Sequence, residues 1–403
     1  MKKKQKTSKT NYSLIQKIKE FKDKLCLDLI LSNGHSKYGN SNLFFIEFVL
    51  NLLGFKTIDS KIDYLLDLQE KDLLIKFYQS LGIKNFHRKS IDLNHIPAKS
   101  TFSEYKNTIQ LNSPSLLLVN VRAAKVKEII EKESLIHIAI DGKDIRNTGS
   151  TKHAGNIKSI HLYGHNLLFH NEFTNNENNW IKDNLQSTIA LIKEQINKPL
   201  LFTGDGIYNN AVTRKIFNEL GVYYLLPFKK KSKIKEEIFV NTKKVRNGKD
   251  VRISGSQIAL YEWTLYKIKQ NKENIQHYLH IDKYLIDNRK RNKHESYIEK
   301  PVVYIQQKYL TNHPDPNIDY FKHKIDHWQV ETYHHFKDTI FEEDKQHKSR
   351  ENAKIYATLN DIVAFFYKQE KINKTRMKKL QSVFMYELTL LLKFFCRTML
   401  RNI

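Results

Sequence analysis

Two Asp-Gly pairs occupy comparable places in this chain and give its first sign of chemistry. Residues 136–140 are an apolar run ending at Asp141-Gly142, and residues 200–203 are another, ending at Gly204-Asp205-Gly206. Short apolar runs bounded by turn residues read as buried strands, so each Asp is expected to close one. Two carboxylates at the ends of neighbouring strands make half of a divalent-cation site, because Mg2+ prefers hard oxygen ligands and takes one or two carboxylates plus substrate phosphates. With a third carboxylate, two ions about 3.5–4 Å apart stabilise both the attacking and the leaving oxygen of an in-line phosphoryl displacement. Asp-Gly is also a common turn dipeptide; its recurrence after two separate apolar runs is what favours the ligand role. On residue types alone the third carboxylate stays open among Glu331, Glu342, Glu343 and Asp344, of which Glu331 sits in a segment of mixed apolar character. His327, Glu331 and His335 recur every four residues and so share a helical face. Imidazole also suits zinc or iron, but phosphate contact or core packing is the expected role of these histidines.

These groups are far apart in sequence, so only long-range topology can assemble them. From residue 134 the elements read β-β-β-α-β-α-β: strands at 136–140, 159–163 and 167–173, a helix at 178–196, a strand at 200–203, a helix at 210–220 and a strand at 222–228. The first helix carries Ile181, Leu185, Ile189, Ile192 and Ile196 at spacings of three and four. Three antiparallel strands followed by two right-handed crossovers give an α/β fold, a mixed five-stranded sheet flanked by helices. The first and fourth strands then lie side by side, and Asp141 and Asp205 meet at the carboxyl ends, where ligands of α/β sheets collect. Ahead of this, residues 1–133 read as a basic tail and an all-α DNA-binding module, with Ile15, Ile18 and Phe21 on one face and an apolar helix at 43–53. A short helix near Pro97 has Ser100 as its expected N-cap, and 113–133 reads as one long helix. Residues 229–313 read as a basic, strand-rich insertion with turns at Asn247-Gly248 and Ser254-Gly255, and 314–403 as a helical remainder.

The charge balance points to a polyanionic partner. Lys and Arg number 68 against 43 Asp and Glu, a net +25, which attracts nucleic acid and makes binding steeply salt-dependent. The abundant Asn, Ile and Lys reflect an AT-biased composition in part, but the cations also cluster: five lysines in the first ten residues, five in Lys229 to Lys235, and four cations in Arg289 to Lys293. No run approaches the roughly 18 apolar residues of a membrane span, and no apolar core follows the N-terminal lysines, so neither a span nor a signal peptide is expected. Cys26 and Cys396 each lack a nearby second thiol. A cytoplasmic, nucleoid-associated protein is the expectation.

Several blocks occur in a telling order. They are Ile138-Ala139-Ile140-Asp141-Gly142-Lys143 with Arg146 and then His161-Leu162; Asn176-Glu177; Asp205-Gly206; Gly221-Val222-Tyr223-Tyr224-Leu225-Leu226 with Lys229; His327-Trp328-Gln329-Val330-Glu331; Phe341-Glu342-Glu343-Asp344; and Asn352-Ala353. Together they resemble the bacterial insertion-sequence DDE transposases of the H-repeat-associated group, from residue 97 to about 366. The resemblance implies an RNase H-like catalytic domain with Asp141, Asp205 and Glu331 holding two Mg2+ or Mn2+ ions. It implies cleavage of double-stranded DNA at element ends, strand transfer by the freed 3′-hydroxyl, and self-association on DNA. Lys143, Arg146, Lys229, Lys230, His327 and Arg350 are the expected DNA contacts. The chain departs from the family at Lys230-Lys231-Ser232, where Gly-Asn-Gln is usual, and at His347 and Ser349, where arginines are common. Two alternatives stand beside this reading: an RNase H-like nuclease that cuts without joining, and a catalytically silent, transposase-derived DNA-binding protein.

Overall fold

The computed structural model describes residues 14–32, 37–88, 90–110, 114–145, 157–228, 242–254, 257–269, 274–287, 303–343, 350–371 and 380–389. Helix α1 (Leu14–Lys24) turns Ile15, Ile18 and Phe21 inward, as their spacing requires. A two-residue strand, β1 (Leu31–Ser32), leads to α2 (Asn40–Leu52), whose apolar sequence is buried on nearly every side. Helix α3 (Ile58–Glu70) opens with a capping box in which Thr57 and Ser60 satisfy each other's backbone N–H. Then come α4 (Leu74–Ser80), α5 (Lys99–Thr108), β2 (Ile109–Gln110), α6 (Pro114–Leu117) and α7 (Val119–Lys132). β1 pairs antiparallel with β2, so this part is not wholly helical. α5 begins after Ala98, which offers no capping side chain, rather than at Ser100. The single helix expected over 113–133 is interrupted at Leu118.

The sheet follows. β3 (Ile136–Ile145), β4 (Ile157–Gly164) and β5 (Leu167–Thr174) are antiparallel neighbours. The first crossover is two helices, α8 (Glu177–Asp183) and α9 (Leu185–Gln195), with the break at Asn184 that the sequence reading had run through. β6 (Leu200–Gly204), α10 (Ala211–Glu219) and β7 (Tyr223–Pro227) complete the expected series, and β3, β6 and β7 lie parallel in that order. Next are β8 (Thr242–Ser254), β9 (Gln257–Ile268), β10 (His277–Asp287) and β11 (Val303–Thr311). They lie between β7 and the later helices, where the insertion was expected, and they join the same sheet. β11 pairs antiparallel with β7 through Leu310 and Leu226, and the result is a nine-stranded mixed sheet in the order β5-β4-β3-β6-β7-β11-β10-β9-β8. The five-strand expectation is corrected because the outer edge of β7 carries unpaired backbone groups that β11 satisfies.

Helices α11 (Tyr320–Asp326), α12 (Trp328–Phe341) and α13 (Arg350–Gln369) follow the sheet, and residues 380–389 are helical as well. One apolar core runs from Ile18 and Phe48 through Ile138, Phe202 and Tyr224 to Leu359 and Phe384, so the N-terminal helices share their interior with the sheet. A smaller cluster, including Leu225, Leu279 and Phe321, seats α11 on the added strands. No described helix is long and apolar enough to cross a membrane.

Candidate active site

β3 and β6 stay in parallel register from Ile136 beside Leu200 to Ile140 beside Gly204. The next residue on each is Asp141 and Asp205, so the two fall side by side on adjacent chain segments. Asp205 does close its strand, but Asp141 does not. β4 continues to pair with β3 as far as Ile145, with Asp141 opposite His161. The parallel partner ends there and the antiparallel partner carries on, which corrects the reading of Asp141-Gly142 as a turn.

Gly142 has a different use. A Cβ at this position would lie 2.4 Å from Glu177 Oε1, so the missing side chain makes room for a third carboxylate, at the first residue of α8. The Tyr208 hydroxyl donates to Glu177 Oε1 at 3.0 Å, and Lys158 Nζ lies 3.7 Å from Oε2. Burial raises the pKa of Glu177; Tyr208 and Lys158 oppose this, and the charges of Asp141 and Asp205 add to it.

Glu331 is contributed by α12. It faces a pocket of about 180 Å³ bordered by Asp205, His327, Lys283, Lys324, Tyr309 and Trp328. Its pKa is raised by burial and then by the charges of Asp141 and Asp205. Among the described residues the carboxylate oxygens of Asp141, Asp205 and Glu331 do not close to within 4.8 Å of one another.

The histidines arrange themselves differently from the expectation. His327 lines the pocket, and its Nδ1 meets Thr203 Oγ1 at 3.0 Å. His335 is exposed and meets Thr339. His334 takes the inner place, with Nδ1 3.3 Å from Asp141 Oδ2 and Nε2 2.9 Å from His161 Nδ1. On a helix of 3.6 residues per turn, positions seven apart return to within about 20°, whereas positions eight apart diverge by about 80°. Burial opposes ionisation of Asp141, but the hydrogen bond from His334 and the nearby His327 and His161 outweigh it and hold the carboxyl below its ordinary value. His161 is pushed down to about 4 by burial and by Lys337. Behind it, Asp361 receives Lys337 Nζ and the Tyr333 hydroxyl, each at 2.5 Å.

The expected phosphate contacts fare unevenly. Lys143 is a correction: it is 7% exposed, with Nζ 2.5 Å from Asp338 and 2.6 Å from Glu343, so it cannot reach a phosphate. Its charge is consumed by carboxylates two hundred residues away. Those pairs also dispose of Glu343 as a ligand, and Glu342 is held by Lys56 at 2.8 Å. Arg146, Lys229, Lys230 and Asp344 lie outside the described residues, as does the side chain of Arg350, which opens α13.

Sequence reasoning gave no site role to Glu177, His334, Lys283, Lys324 or Trp328. Asn176 caps α8 with its side chain, a local signal that marked the helix start beside Glu177. Nothing local marked the lysines. Lys283 Nζ lies 5.5 Å and Lys324 Nζ 5.8 Å from the ring centre of Trp328, which is itself 49% exposed. Burial and the charge of Lys283 lower Lys324 to about 8. Chemically the site offers hard anionic oxygens on one side and two ammonium groups with an aromatic face on the other. No protein-family model matches the chain, and a search of curated proteins finds no match.

Proposed function

We propose that this chain is a metal-dependent DNA strand-transfer enzyme of the DDE transposase kind, working on double-stranded DNA. The observation that carries the reading is the emergence of Asp141 and Asp205 side by side from parallel neighbours, with Glu331 on a facing helix and coupled to both charges. The order β5-β4-β3-β6-β7 supports an RNase H-like half, to which β8–β11 add an extension. The donor set fits a hard divalent cation, since it consists of carboxylate oxygens whose repulsion a cation would relieve. Asp141, Asp205 and Glu331 would hold Mg2+ or Mn2+, with Glu177 at the same rim. Such ions, when bound, polarise the phosphodiester and provide a nucleophile at neutral pH.

The protein's own groups have separate tasks. His334 holds Asp141 ionised and fixes its orientation. Lys283 presents positive charge to a phosphate across the pocket from the carboxylates, the buried Lys324 adds to that field, and Trp328 offers a face for a base or sugar. The net charge of +25 supports a polyanionic partner. Two displacements occur at one centre: water breaks a phosphodiester to free a 3′-hydroxyl, and that hydroxyl attacks a phosphodiester of target DNA, releasing a second 3′-hydroxyl.

The test is to incubate the protein with its flanking genomic DNA and Mg2+ or Mn2+, with uncut ends and with pre-cut ends. Cutting and joining by the wild type, with Asp141→Asn, Asp205→Asn and Glu331→Gln each binding but not cutting, is the expected result. Cutting without joining of pre-cut ends would make it a nuclease. Binding without cutting would make it a silent DNA-binding protein.

A further inference from the structure

Four residues before Asp141 on β3, a second set of ligand-type side chains converges. His137 meets His323 and Asp326, which lie three apart on α11 and so share a face. One ligand atom from each falls within 4.8 Å of the others, the single such group among the described residues. His137 is 3% exposed. Its Nε2 is 2.9 Å from Thr203 Oγ1; when this nitrogen donates to the hydroxyl, Nδ1 keeps its lone pair for a ligand. A metal-binding imidazole characteristically donates its other N–H to an oxygen in this way. His323 Nδ1 is buried without a hydrogen-bond partner among the described residues, which is uncommon for a polar atom and calls for an occupant.

We propose that His137, His323 and Asp326 bind one transition-metal ion of the Zn2+ class, at a site separate from the carboxylates around Asp141. Two imidazole nitrogens and one carboxylate oxygen suit Zn2+, whose tetrahedral bonds of about 2.0–2.1 Å set ligand atoms about 3.3 Å apart. That separation falls inside the 4.8 Å bound on the ligand atoms here. His165 is not the fourth ligand, because its Nε2 accepts the backbone N–H of His137 at 3.2 Å; the fourth position is left to water. The ion ties α11 to β3. α11 runs through His327 into α12, which carries Glu331, and Thr203 joins His137 to His327. The ion therefore acts as a positioning device for the pocket, and its existence does not depend on the functional reading above.

The experiment strips the full-length protein with a chelator and titrates it with Co2+ in excess Mg2+, then with Zn2+. The expected result is one equivalent of Co2+ with the visible absorption of a tetrahedral ion, its displacement by one equivalent of Zn2+, and a higher melting temperature with Zn2+ bound. His323→Gln and Asp326→Asn, each checked for folding by circular dichroism, lose the band. Thr203→Val weakens binding about 10–100-fold, and the triple variant Asp141→Asn, Asp205→Asn, Glu331→Gln keeps the band. A wild type that takes up neither ion overturns the proposal. So does a band that survives in both His323→Gln and Asp326→Asn, or one that disappears in the triple carboxylate variant.

Discussion

Replacing Lys143 by Met separates a phosphate contact from a buried ion pair. Lys143 Nζ lies between Asp338 and Glu343, at 2.5 and 2.6 Å. Its removal leaves the 2%-exposed Glu343 facing Lys337 at 3.4 Å, and Lys337 is already engaged by Asp361 at 2.5 Å. Removing one partner of a buried pair costs about 3–5 kcal/mol. The lower end applies because Lys337 remains and Asp338 is partly exposed. At about 2 °C per kcal/mol for a sizeable domain, the melting temperature falls by about 6 °C. Burial opposes the charge on Lys143, but Glu343 and Asp338 outweigh it and raise its pKa. A raised lysine stabilises fully below its unfolded value, about 10.4, and loses that stability only as pH rises through the folded value, so melting at neutral pH reads the whole effect. DNA binding is measured in parallel across salt concentrations. A phosphate contact would lower the slope of log K against log salt by about 0.9; the structure requires an unchanged slope. An unaltered melting temperature together with a slope lowered by one contact would refute the buried-pair argument.

Gly142→Ala places a Cβ 2.4 Å from Glu177 Oε1 and must displace that carboxylate. Gly142→Ala and Glu177→Gln are therefore expected to lower DNA cleavage by similar factors, about tenfold or more, with DNA affinity little changed; a fully active Glu177→Gln enzyme would remove Glu177 from the site. A third prediction concerns Glu47, which is fully buried between Lys61 and Lys106, each at 2.7 Å. Burial alone would raise its carboxyl, but the two lysines bring it down to about 2, so its stabilisation is present above about 4.3 and is lost as pH falls towards 2. Lys61, lowered by burial to about 8 despite Glu47, works in the opposite direction: the fold gains stability as pH rises from 8 towards about 10.4. Glu47→Gln should cost about 3–5 kcal/mol at neutral pH and flatten the acid limb of a melting-temperature profile below pH 4.3; a profile parallel to the wild type's would dissolve the pair.

The juxtaposition of Asp141 and Asp205 was legible in sequence because apolar runs of nearly equal length on two strands, joined by a right-handed crossover, end at the same level of a sheet. The Asp205 strand end, and the helix bearing Glu331, followed from local composition. Other features depended on partners that no local pattern names. Asp141-Gly142 looks like a turn, and becomes mid-strand only because β4 goes on pairing past it. The extension to nine strands rests on backbone hydrogen bonds along β7, which any strand of suitable register can make. His334 rather than His335 faces Asp141 because the phase of α12 against the sheet is set by packing, and a one-residue change rotates a side chain by about 100°. Lys143 illustrates the limit most directly. A lysine near a carboxylate cluster reads as a phosphate contact, yet Asp338 and Glu343 arrive from the far end of the chain and neutralise it. Whether a charge meets solvent or a buried counter-charge is decided by what folds over it, and that is a property of the tertiary structure alone.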